Sequence, residues 1–524
     1  MHARLIASVA ALLAVLAGCG SGGTAGSPGP AHGGATAECP PVDHAAIDPN
    51  ATFTWMYSVA NTSFDPDKIT TSNSQMYLYP IYDSLVHLDD KGEPRPMLAR
   101  SWSVGDGGRS LTLQLVDNWK YHDGTPFDAA SVKANLDRHR GEGSFNRQAL
   151  SDISGVSVLD RRTVKIETIN GAAPLVGILA SSAGMMMSPA VFNDPGQSLK
   201  PTGGSGAFSL ASYQPGSKVE YSAVPGYWEP DALRVAKMVF LISSDDNARL
   251  NSVITGAADA TFLRESMYAP AKGGGLVVCQ KPSMSSYTMA LNVARSEFAK
   301  PEVRRAINLA VDRSAIAAIT DGFCDPSVQM FPTSFYASDP ELTPDRYPHD
   351  VAKARQLLDS VGLGRGFEFT LETNNLDAYQ KVAEVIQANL QEVGIRVTVL
   401  PVELPRLMED FSVNKKADAQ LVQQKAEADP SIQIEAYYLR GGFSNPGDYG
   451  NPAISQLHTQ AKAAATTNER AEIYRKLFAK AHEEAASPVI LCHLTTPMAT
   501  NQKVMGLEIY SDGSRQFRGI AVRK

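Results

Sequence analysis

Ser286-Tyr287-Thr288-Met289-Ala290-Leu291-Asn292 leads, after a short polar turn, into Pro301-Glu302-Val303-Arg304-Arg305-Ala306-Ile307-Asn308-Leu309-Ala310-Val311-Asp312-Arg313. Tyr287, Met289 and Leu291 alternate with Thr288, Ala290 and Asn292, the period of two that marks a strand with one buried face. Val303, Ile307, Ala310 and Val311 recur at helical spacing. Pro301 suits the first turn, where a missing N–H is no loss. The pattern predicts a strand, a turn and a helix running to Arg313, and places the start of a second lobe near Ser286.

The stretches downstream repeat that grammar. Asp350 caps a predicted helix Val351–Val361. The next helix, near Ala378–Val393, carries Val382, Val385, Ile386, Leu390 and Val393 on one face and stops at Gly394. Ile395, Val397 and Val399 then alternate as a strand. Helix, glycine, strand at this spacing predicts helices packed on a sheet, an α/β architecture. A last helix, Glu469 to Ala485, precedes Val489-Ile490-Leu491, read as the return to the first lobe. Upstream, Phe53 opens a short strand, Asn61-Thr62-Ser63-Phe64-Asp65-Pro66 is rich in turn formers, and Leu111-Thr112-Leu113-Gln114-Leu115 alternates. Asp128 caps a helix that follows Trp119-Lys120-Tyr121-His122-Asp123-Gly124-Thr125-Pro126-Phe127. Leu250 to Asp259 reads as a helix ended by Gly256. No internal repeat is present.

The chain has 524 residues, enough for two or three domains with large cores. Its 43% hydrophobic and 20% charged residues are ordinary for a globular protein. A formal charge of -7 with a pI of about 5.9, and no Lys/Arg cluster, argues against a nucleic-acid-binding surface. All the tryptophans (Trp55, Trp102, Trp119, Trp228) fall in the first half, so the later half lacks that large stacking side chain.

The amino-terminal end reads as an export signal over residues 1–18: Arg4 supplies positive charge and Leu5 to Leu16 is apolar but too short to span a bilayer. Leu16-Ala17-Gly18-Cys19 looks like a bacterial lipobox, which makes Cys19 the lipidated residue. Several acyl chains bury enough CH₂ groups, at ~0.8 kcal/mol each, to hold a protein at a membrane. Gly20 to about Asn50 is Gly-, Ala-, Ser-, Thr- and Pro-rich and reads as a flexible tether. In an exported chain the remaining Cys39, Cys279, Cys324 and Cys492 are disulfide candidates, and spacing leaves all three pairings open. No CxxC spacing supports a zinc site.

Catalytic motifs are missing. There is no GxSxG elbow, HExxH, P-loop or CxxC. His122-Asp123 offers an acid–base pair on paper, but reads as a turn with Gly124 at positive φ and Asp123 capping locally. Gly362-Leu363-Gly364-Arg365-Gly366 follows a helix instead of joining a strand to a helix, so it is a helix end and turn, not a phosphate loop.

Several ordered stretches resemble one family. They are Pro80-Ile81-Tyr82-Asp83-Ser84-Leu85, Pro96-Met97-Leu98-Ala99-Arg100-Ser101-Trp102, and Tyr121-His122-Asp123-Gly124-Thr125-Pro126-Phe127. To these add Pro201-Thr202-Gly203-Gly204-Ser205-Gly206-Ala207-Phe208, Gly226-Tyr227-Trp228, and the Leu291–Arg313 run with Asn292 and Phe298. The chain is similar, from about Phe53 to Leu507, to the extracytoplasmic solute-binding proteins of peptide, nickel and opine ABC importers (bacterial solute-binding protein family 5). Ser205 and Ala207 depart mildly from the family pattern.

The resemblance implies an α/β, two-lobed periplasmic-binding-protein-like fold with an extra subdomain in lobe I and a ligand cleft between the lobes. On that template lobe I spans 51–285 with the subdomain at about 86–198, lobe II spans 286–488, and 489–524 return to lobe I. It implies no catalysis, no cofactor and no metal, and a monomer exported to the outer face of the cytoplasmic membrane, lipid-anchored there. Its partners would be a small-molecule or peptide ligand and the subunits of an ABC permease. By family position the ligand contacts are Asn61, Ser63 and Phe64, then Met185 and Met186, and from lobe II Gln424, Lys425 and Glu427. Peptide binders of the family place a tryptophan and an aspartate before Asp429-Pro430; here those positions hold Gln423 and Ala426, with Glu427 one residue on. Some relatives staple the amino-terminal segment to lobe I, which implies Cys39–Cys279. A secreted hydrolase and a ligand-sensing lipoprotein without a permease are the competing readings. The first lacks a nucleophile and base at any recognised spacing.

Overall fold

The computed structural model describes residues 37–524 other than positions 70, 321 and 428. The expected export signal and Cys19 lie outside the described residues. Among the described residues no helix is long and apolar enough to cross a membrane.

The run that divides the chain forms the strand Pro282–Leu291, set centrally in a six-stranded sheet between Val489–Thr495 and Ala419–Gln424. Because it is central, both faces are covered. Tyr287, Met289 and Leu291 pack with Ile307, Ile386 and Leu390 beneath helices Pro301–Ala310 and Asp377–Glu392. Thr288 and Ala290, expected on the face opposite the buried one, are themselves fully buried, as is Ser286 on the same side. That second face meets Ile434, Tyr474, Phe478 and their neighbours. The predicted helix to Arg313 ends early: Val311 turns extended and Asp312 caps a separate helix, Arg313–Ile319, by accepting from the N–H groups of Ser314 and Ala315. An Asp with a free side chain at that point offers the backbone a better partner as a cap than as a helical residue.

Lobe I is built on a seven-stranded sheet in the order Val277–Cys279, Met498–Thr500, Ala260–Phe262, Thr52–Tyr57, Lys237–Ile242, Lys218–Ala223, Phe208–Gln214. Phe53, Trp55 and Tyr57 alternate inward to its core. The subdomain is a four-stranded antiparallel sheet (Ala99–Gly105, Ser110–Leu115, Thr163–Thr168, Ile153–Asp160) covered by the helix Ala129–His139.

Two expected boundaries move. Residues 37–50, read as the end of a tether, pack on lobe I: Ala37 bridges Gln280, Ile47 bridges Arg523, and Cys39 is bonded to Cys279. The crossing expected at Val489 comes later, since Val489–Thr495 pairs with Pro282–Leu291 inside the second sheet and only Met498–Thr500 lies in the first. An apolar run such as Val489-Ile490-Leu491 fits either sheet equally well, so only pairing decides. Cys492 closes a second disulfide with Cys324 on the neighbouring edge strand.

Candidate ligand site

In open sheets with parallel strands, ligands sit beyond the carboxyl ends of those strands. In the first sheet the parallel strands are Thr52–Tyr57, Lys237–Ile242 and Ala260–Phe262, ending at Tyr57, Ile242 and Phe262. In the second they are Glu368–Asn374, Arg396–Val402 and Ala419–Gln424, ending at Asn374, Val402 and Gln424. The lobes touch near the crossings, where the Met284 N–H donates to the Ser511 carbonyl at 2.7 Å and Lys281 pairs with Asp90 at 2.7 Å. They touch again where Gly108 and Gly171 of the subdomain meet the end of helix Pro452–Ala463.

From lobe II, the strand Ala419–Gln424 turns Gln420 and Gln424 to the same buried face, and neither side-chain amide has a protein partner at N or O. Glu372 lies opposite Gln420, and Ser286 opposite both Gln424 and His493. Burial pushes the His493 imidazole down to about 4, so it is neutral at pH 7, and its Nδ1 has no partner. The next turn is pinned from behind. Asp429, almost fully buried, accepts from both terminal nitrogens of Arg470, at 2.5 and 2.6 Å, and caps helix Pro430–Tyr438. The Gln433 amide donates to the Lys425 carbonyl at 2.6 Å. This fixes a segment that offers neutral amides (Gln424, the free Oε1 of Gln433) and one carboxyl, Glu427, whose pKa burial raises. The Lys425 side chain is exposed.

From lobe I, Asn61 is buried with its carbonyl bonded to the Tyr213 hydroxyl at 2.8 Å and its Nδ2 without a partner. The other expected contacts are structural here. Ser63 accepts from the Asp65 N–H at 3.0 Å. Phe64 is fully buried edge-on to Tyr213. Met185 and Met186 are fully buried in the lobe I core and the subdomain core. Of the expected contacts, Asn61 and Gln424 keep buried amide atoms with no partner among the described residues, whereas Phe64, Met185 and Met186 are packed in hydrophobic clusters. His122-Asp123 is the expected turn, with Asp123 accepting from the Thr125 N–H and Gly124 at φ 85°. Among the described residues no group of three or more His, Cys, Asp or Glu side chains converges as a metal site.

Sequence reasoning missed Tyr57, Asn73 and Arg515, which meet at the carboxyl end of the first sheet's central strand. Arg515 lies more than 440 positions from the other two, and the three carry no motif. The one signal in the sequence was Tyr57 as the last residue of an alternating strand.

The profile described as "Bacterial extracellular solute-binding proteins, family 5 Middle" matches residues 93–445. The chain is 30% identical over 347 residues to the glutathione-binding protein GsiB of Escherichia coli (strain K12), covering 64% of this chain and 67% of that protein. Its fold is similar to HbpA2 from Haemophilus parasuis, with a TM-score of 0.81, 20% identity, and coverage of 90% of this chain and 100% of that one. It is also similar to DppA from Helicobacter pylori in complex with the peptide STSA, with a TM-score of 0.68, 22% identity, and coverage of 91% and 99%.

Proposed function

We propose that this chain, which belongs to the bacterial extracellular solute-binding proteins of family 5, captures a short peptide or peptide-like compound between its lobes and delivers it to an ABC permease. The observation that carries the reading is a pair of buried side-chain amides, Asn61 in lobe I and Gln424 in lobe II, that have no partner among the described residues, Gln424 ending a parallel strand of its sheet. GsiB is named for glutathione and the DppA structure holds a peptide, which supports the same ligand class. The work is selective closure: the ligand populates the closed arrangement through its greater affinity for it. Cys19 at the lipobox-like stretch anchors the exported chain to the outer face of the cytoplasmic membrane, where it acts as a monomer. With Ala426 in place of an aspartate, the α-amino group of a peptide pairs with Glu427, because a desolvated ammonium needs a carboxylate.

Native mass spectrometry of the chain from Gly20 onward, purified without denaturation, tests this. Extra mass that is released on acidification and sequences as short peptides or a peptide conjugate is the expected result. A discrete non-peptide mass overturns the ligand class. Glu427→Gln should then weaken binding of a captured peptide more than of its N-acetylated form.

A further inference from the structure

Among the described residues, Arg515 differs from the fully buried arginines and from its partly buried neighbour Arg518. Arg138 pairs with Asp65 and Asp67, Arg249 with Asp246, Arg470 with Asp429 and Arg518 with Glu229. Arg304 and Arg313 lack carboxylates but each spends its guanidinium on four acceptors, mostly backbone carbonyls. Among the described residues Arg515 makes no ion pair, and its hydrogen bonds there both leave Nη1, to the Tyr57 hydroxyl and the Asn73 Oδ1, each at 3.3 Å. Its Nε is buried and unpartnered.

The surroundings hold the guanidinium in place. Its centre lies 5.1 Å from the Tyr57 ring and 5.6 Å from the Phe262 ring. Tyr57 donates its hydroxyl to Asn73 in a short bond, which leaves the tyrosine oxygen free to accept from Arg515. Both aromatic residues close parallel strands of the first sheet, and the loop that carries Arg515 begins at Ser511, whose carbonyl bonds to Met284 of the second sheet. The guanidinium thus stands beside the interlobe crossing, at the carboxyl ends of the strands, and Arg515 remains partly exposed. Burial lowers its pKa from the ordinary value and outweighs the opposing charges of Tyr57 and Asp512. Asp512, the nearest carboxyl in sequence, is engaged with the Ser514 N–H at 2.8 Å.

Resting on the receptor reading above, we propose that Arg515 is an anion anchor of the cleft: its free Nε edge receives a carboxylate of the ligand. A guanidinium edge matches a carboxylate in a two-point contact that a lysine cannot reproduce. With Glu427 of lobe II taking the ligand's amino end, as proposed above, its acidic end lies against lobe I.

The test titrates wild-type, Arg515→Gln and Arg515→Lys proteins with two matched series, read by calorimetry and thermal shift. One series holds free acids (succinate, glutarate, dipeptides, tripeptides, glutathione), the other their amides. The expected result is free-acid binding that falls roughly tenfold to a hundredfold in Arg515→Gln, partly recovers in Arg515→Lys, and leaves amide binding unchanged. Carboxylate binding that is equal in wild type and Arg515→Gln overturns the anchor. So does wild-type protein that binds no free acid better than its amide. Because Arg515→Lys keeps the charge, a folding defect in Arg515→Gln alone does not rescue or sink the idea. Arg515-dependent binding of simple diacids without peptide binding would keep the anchor and count against the peptide reading. Peptide binding indifferent to Arg515 would do the reverse.

Discussion

Asp67 ties the lobe I loop to the subdomain. It is almost fully buried, bonded to the His139 Nδ1 at 2.6 Å and to Arg138 Nη1 at 2.6 Å, with the Ser144 hydroxyl donating at 2.7 Å. Burial alone would raise its pKa. The hydrogen bond and charge of His139, the charge of Arg138 and the Ser144 hydroxyl outweigh burial and hold it at about 2, against 3.8. A carboxyl depressed in the folded state stabilises fully above its unfolded pKa and loses that contribution as pH falls through the folded one. The stability gap between wild type and Asp67→Asn should therefore narrow by about 1 kcal/mol between pH 5 and pH 3, measured by urea unfolding. A gap that does not change with pH would assign the effect to packing. Arg470 poses a plainer case: Arg470→Ala leaves Asp429 buried and unpaired and should cost about 3–5 kcal/mol of lobe II stability by the same method. It should also loosen the Gln424–Glu427 turn and weaken any ligand held there.

At the scale of elements, caps and stops were the readable features. Asp128 and Ser131 form a reciprocal capping box at helix Ala129–His139. Asp128→Ala should cost about 1 kcal/mol, seen as a lower urea midpoint with an unchanged slope. Asp350 and Gly394 likewise bound their helices as local chemistry predicts, because a cap is decided within four residues. Elements whose identity depends on distant partners were not readable. Ser286, Thr288 and Ala290 look solvated in sequence, yet they are buried because a second layer of helices from residues 430–438 and 467–483 arrives from far along the chain. The candidate site divides the same way. Gln424 and Glu427 are expected from a local motif, whereas Arg515 acquires its meaning only when residues 57, 73, 262 and 515 are brought together.

For the whole molecule, the contact between the subdomain and helix Pro452–Ala463 is the place to test lobe closure. A methyl group on Gly108 would lie 2.5 Å from the Ala463 Cα, and one on Gly171 would lie 2.5 Å from the Lys462 carbonyl oxygen. Both neighbours are backbone on a helix and cannot swing aside, so the approach requires glycine on one side and a small residue on the other. Gly108 is also at φ 88°, so changing it would strain its own loop whether or not the lobes meet. Ala463 is the cleaner probe, since it is exposed at the last turn of a lobe II helix, where leucine is tolerated by the helix itself. Ala463→Leu should leave the urea stability of the ligand-free protein within about 0.5 kcal/mol of wild type. It should nevertheless weaken ligand binding, because apparent affinity falls with the fraction of molecules able to adopt the closed arrangement. A penalty of about 1.4 kcal/mol on closure gives a tenfold loss, measured by calorimetry with whichever ligand the native preparation yields. Unchanged affinity would mean that closure on the ligand does not bring helix Pro452–Ala463 against the subdomain. A large loss of ligand-free stability would mean that this contact belongs to the resting fold, and that the two lobes are held together before any ligand arrives.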